Sequence, residues 1–103
     1  MKTFAENLSA LPTLDHLSAL QLHDAYGVSH ATIENKPGAQ GSFRVYHFVA
    51  NKWDGLGPEA AREALELYAE HTEDAKQYPG KHPNIDRLFE IVEKGLRYTV
   101  QFS

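Results

Sequence analysis

SALQLHDAYGVSHATIE, residues 18–34, changes the rhythm of the chain. Leu20 and Leu22 alternate with Gln21 and His23, a period of two that suits a strand with one buried face. DAYG then supplies Asp at the first and Gly at the last position of a type I turn, and an extended run resumes from Val28 to Glu34. The spacing predicts an antiparallel hairpin. Its partner is found at the other end of the sequence, where Leu96, Tyr98, Val100 and Phe102 alternate with Arg97, Thr99 and Gln101.

Between and before these strands the period is helical. TFAENLSAL, residues 3–11, has Thr3 as a cap with Glu6 three residues on, a capping box, and Pro12 stops it. NKPGAQGS, residues 35–42, concentrates Gly, Pro and Asn and reads as a loop. FRVYHFVANKW, residues 43–53, has a strand-like composition. However, Phe43, Tyr46, Val49, Ala50 and Trp53 share one helical face, with Ser42 as cap and Gly55 as stop, so a helix is expected. Pro58 opens a helix over Glu59 to Lys76, with Ala61, Ala64, Leu65, Tyr68, Thr72 and Ala75 on one stripe. After YPGKHP, Asn84 is expected to cap a helix that turns Ile85, Leu88, Phe89 and Val92 inward and ends at Gly95. The order is helix, hairpin, three helices, strand. It predicts an α+β fold: a small antiparallel sheet, hairpin plus C-terminal strand, with three or four helices packed on one face. No repeat or linker divides residues 1–103, which read as a single globular domain.

Composition narrows the functional classes. The apolar share of 42% and charged share of 23% are those of an ordinary globular protein. Without cysteine, a disulfide framework, a thiolate metal site and a thiol nucleophile are all excluded. A net charge of −4 with scattered lysines and arginines argues against nucleic-acid binding by phosphate neutralisation. Glu6, Asn7 and Asp15 interrupt any apolar signal core, and no run approaches the roughly 20 apolar residues needed to span a bilayer. A cytoplasmic protein with no membrane partner is expected.

The chemistry-bearing residues concentrate in EHTEDAKQYPGKHPNID, residues 70–86. If one helix runs to Lys76, then Glu70, Glu73 and Asp74 lie in its last turns, where the macrodipole disfavours negative charge. Glu70 and Asp74 would also repel at a spacing of four, by about 0.2–0.5 kcal/mol. Such a conflict points to a compensating partner, either internal cations (Lys76, Lys81, Arg87) or another molecule. His71 and Asp74 one turn apart, with His82 or Asp86 from the next helix, would suit zinc, manganese or iron. Lys81 and His82 precede a helix start that favours anions, and the 35–42 loop flanked by Lys36 and Arg44 is a second candidate cradle, which reads as a plain turn because it lacks both the P-loop ending and a GxGxxG fingerprint. Neither GxSxG nor HExxH is present. Trp53 and Tyr46 are either core or an aromatic contact patch.

The strings ATIENKPGAQGS, FRVY, AEHTEDA and PGKHPNIDRL resemble a family of short bacterial proteins described as domain of unknown function 2322, over nearly the whole chain. The resemblance implies a bacterial protein and transfers no activity, cofactor or catalytic residue. The expected role is a non-enzymatic protein-interaction or self-associating module without cofactor, presenting Glu70, Asp74, Lys81 and His82 to a protein partner. Should the last strand lie at a sheet edge, the partner could be a second copy in a homodimer. The alternative is a divalent-metal-binding protein or small metal-dependent hydrolase using His71, Asp74, His82 and Asp86.

Overall fold

The alternation around Leu20 and Leu22 builds β1 (Ala19–His23), and the run after DAYG builds β2 (Ser29–Glu34). Gly27 N donates to Asp24 O at 3.0 Å, closing the turn, and Gly27 takes φ 81. Asp24 Oδ1 also accepts from the amides of Tyr26 and Val28 at 2.9 and 3.0 Å. β3 (Thr99–Phe102) pairs antiparallel with the other side of β1, giving the order β2-β1-β3. Leu20, Leu22 and Ile33 point into the core, while Gln21, Thr32 and Gln101 face solvent.

The computed structural model describes residues 2–103, and among these it contains five helices and three strands, an α+β fold. α1 (Phe4–Ser9) has the full Thr3–Glu6 capping box. α2 (Gln40–Trp53) resolves the competing signals of 43–53 in favour of helix, because Phe43, Tyr46, Val49 and Ala50 are all buried on one face. It begins earlier than expected: Ala39 is its N-cap, and Ser42 sits inside the first turn and caps nothing. α5 (Pro83–Lys94) likewise starts two residues early, with His82 as N-cap and Pro83 opening the helix, while Asn84 Oδ1 accepts from Arg87 instead of capping. Gly95 ends it in the left-handed conformation, φ 67.

The single helix expected over Glu59 to Lys76 is two. α3 (Pro58–Tyr68) stops at Ala69, and α4 (Glu70–Gln77) starts immediately after it. Ala69 adopts φ 52, ψ −116, a region that costs a residue with a Cβ about 1–3 kcal/mol. The break leaves carbonyls without their helical partners, and side chains supply the replacements: Thr72 Oγ1 donates to Leu65 O at 2.6 Å, and Asn7 Nδ2 to Leu67 O at 2.9 Å. Glu70 and Glu73 therefore stand in a first turn, where the macrodipole favours them, reversing the conflict inferred for a continuous helix.

The core joins Leu20, Leu22 and Ile33 of the sheet to Phe43, Tyr46 and Val49 of α2, Ala61 and Ala64 of α3, and Leu88 and Ile91 of α5. Each large side chain buried this way contributes about 1.5–3 kcal/mol. α1 has no fully buried residue and is held by Phe4 and Leu8 together with polar ties, including Arg44 donating to the carbonyls of Leu8, Leu11 and Pro12.

Candidate functional site

Two segments far apart in sequence close on one space. The end of the 35–42 loop and the 68–85 corner both line an open groove of about 490 Å³, with α1 as its third wall. Phe4 and Leu8 come from α1; Gly38, Gln40, Gly41 and Ser42 from the loop and the start of α2; Tyr68, His71, Lys81 and His82 from the corner. A Cβ on Gly41 would lie 3.0 Å from Cζ of Phe4, so the missing side chain is what allows α1 to close against α2.

The floor is aromatic. Phe4 stacks on Tyr68 with ring centroids 5.3 Å apart and meets His71 edge-on at 4.9 Å; His71 lies 5.7 Å from His82. Burial pushes the Tyr68 hydroxyl well above its ordinary pKa, so it stays protonated and donates to Ser42 Oγ at 2.7 Å. Burial likewise pushes Tyr46 up to about 12; its hydroxyl donates to Asn84 O and accepts from Arg87 Nη1, fixing the first turn of α5 beneath the groove.

The rim carries the charges. Asp74 Oδ2 bonds His82 Nε2 at 2.7 Å and Lys81 Nζ at 2.9 Å. The hydrogen bond with His82, and after it the one with Lys81, holds the Asp74 carboxyl below its ordinary value. Glu70 is turned toward α1: Phe4 N donates to its Oε1 at 2.8 Å, and that bond lowers its pKa first. Glu73 pairs with Lys76 at 3.2 Å. The acidic groups of the corner are thus paired internally, Asp74 by Lys81 itself, whose side chain remains 57% exposed.

Of the four residues expected to meet at a metal, His82 and Asp74 are hydrogen-bonded and His71 stands beside them. Asp86 is elsewhere: its Oδ2 accepts from Gly80 N at 2.9 Å and closes the turn between α4 and α5. Among the described residues no group of three or more His, Asp or Glu side chains is placed to hold a metal ion. Ser42 is bonded to Tyr68, and no hydrogen bond joins it to either histidine among the described residues, so the groove contains no assembled nucleophile–base pair.

The other sequence candidates separate. Lys36 pairs with Glu34 at 2.8 Å, and Arg44 is occupied by carbonyls, so neither flanks an anion at the loop. Tyr46 is core, whereas Trp53 is 46% exposed and donates to Glu63 at 2.9 Å. Phe4 and Tyr68 were not legible as site residues, because at their helical spacings they read as core.

Among the described residues no helix is long and apolar enough to cross a membrane. No curated protein and no solved structure matches the chain. The family model described as an uncharacterized protein conserved in bacteria (DUF2322) matches residues 4–102, nearly the whole chain, and the protein belongs to that family.

Proposed function

We propose that this protein is a non-enzymatic binding module whose groove receives a segment of a partner protein, an apolar side chain followed by a carboxylate. The observation that carries this reading is the convergence of the loop and the corner on one open groove with an aromatic floor and Lys81 at its rim. Phe4 and Leu8 offer apolar surface to a side chain, and Lys81, paired with Asp74 but 57% exposed, can exchange that partner for an incoming carboxylate. The starts of α2 and α5 border the same space, and neither has a side-chain cap, so their dipoles add to the preference for negative charge. Among the described residues that line the groove, Lys81 is the one with a formal charge, on a chain of net charge −4.

Lys81 is the informative residue to change. Glu70 and Asp74, the acidic half of the surface expected from sequence, hold α1 and the α4–α5 corner, so reversing their charge would damage the fold along with the surface. Random peptides displayed on phage and selected on the immobilised protein should be enriched in sequences pairing an aromatic or aliphatic residue with Asp or Glu. Lys81→Glu should bind them at least about tenfold more weakly, the size of one charge-assisted contact, while remaining folded, with a melting midpoint lowered only by the loss of its exposed pair with Asp74. Equal binding by the variant would refute the assignment.

A further inference from the structure

We infer that β3 is a self-association edge, and that two copies join their sheets by antiparallel pairing of residues 99–103. Ser103 N donates to Ala19 O at 2.9 Å, so Ser103 faces β1, and by the alternation of an antiparallel ladder Thr99 and Gln101 face it too. Tyr98, Val100 and Phe102 therefore present their amides and carbonyls outward. Leu56 occupies those of Tyr98, both bonds at 2.9 Å, whereas Val100 and Phe102 have no backbone partner on that side among the described residues.

The occupant that fits this edge is a second copy of the strand. A two-fold axis through Gln101 sets Val100 opposite Phe102 of the other copy, and each such pair exchanges both of its hydrogen bonds. The same register brings Ser103 of the incoming strand beside Thr99, so the ladder fills the space between the two Leu56 segments and stops there. On the core-side face it forms Val–Phe cross-strand pairs, the aromatic and β-branched combination that stabilises neighbouring strands. His47 of α2 packs on Phe102 with ring centroids 4.6 Å apart, so helix surface beside the strand joins the contact.

The two sheet edges also differ in how they are guarded. Exposed edges are ordinarily protected by charge or proline. β2 has Glu34 in its outer row, paired with Lys36 at 2.8 Å. β3 reads Thr-Val-Gln-Phe, with neither a charge nor a proline.

Sedimentation equilibrium on the full chain tests this, with circular dichroism to verify folding. The wild-type protein should form a dimer. Gln101→Lys, which faces solvent and sets like charges across the axis, should weaken it several-fold, and so should Gln101→Glu alone, while an equimolar mixture of the two should restore it. Val100→Pro removes an outward donor in each copy without touching the ladder to β1 and should weaken the dimer by about tenfold. A wild-type chain that stays monomeric at high concentration overturns the inference, as does a dimer indifferent to these changes. Lys81→Glu should leave the dimer intact, so failure here and failure of the groove are separate results.

Discussion

Ala69 shows how a local anomaly organises the site. At φ 52, ψ −116 its Cβ is strained, and glycine would not be. Ala69→Gly should raise stability by roughly 1 kcal/mol, the relieved strain less the added chain entropy, visible as a higher thermal midpoint; a lower midpoint would show that the Cβ is not strained. Sequence gave no warning from Ala69 itself, since alanine is the best helix former. The warning lay next to it: Glu70 and Glu73 conflict with a helix end and suit a helix start, so their placement was itself the mark of a new helix. Asp74 makes a second prediction. Its folded pKa lies below the ordinary 3.8, through His82 first and then Lys81. The folded state thus binds this proton less readily than the unfolded chain. The stabilisation is complete above the unfolded value and is lost as pH falls through the lower folded one. Asp74→Asn should be less stable than wild type at pH 7, and the gap should narrow as the pH is taken below about 3.8; a gap independent of pH would contradict the pairing.

The elements divide into a firm frame and a light wall. α5 buries Ile85, Leu88 and Ile91, whereas α1 buries no residue fully and depends on Glu70, Asn7 and Arg44 for its ties. Opening free energies within one protein follow such differences in burial. Amide exchange in α1 should therefore run at least about tenfold faster than in the middle of α5, and Asn7→Ala should widen the gap. Equal protection would mean that α1 is part of the core unit and that the groove wall is rigid. The elements themselves were largely legible. The capping box of α1, the Asp-Ala-Tyr-Gly turn, Pro58 and Gly95 act through neighbours within a few residues, and all behave as their local chemistry requires. The starts of α2 and α5 were misplaced because the side chains read as caps are engaged elsewhere: Ser42 by Tyr68 of α3, and Asn84 by Arg87 one turn on in α5, which is itself held by Tyr46 of α2.

For the molecule as a whole, the groove depends on contacts that no local period encodes. Phe4 meets Tyr68 and Glu70 across more than sixty residues of chain, and Ser42 meets Tyr68 across 26. Sequence flagged the 35–42 loop and the 70–86 corner separately; only the fold brings them to one space, and the same fold turns Asp86 away from the histidines. The groove and the β3 edge are distinct surfaces, so partner binding and self-association should vary independently. The most direct test of the groove is a titration of isotope-labelled protein with a peptide selected on it, followed by backbone amide shifts. The largest changes should fall on Gly41, Ser42, His71 and Lys81, with saturation lost in Lys81→Glu. If no peptide can be selected, or if the changes gather on β3 or on the solvent face of the sheet while these four stay still, the groove is not the binding site.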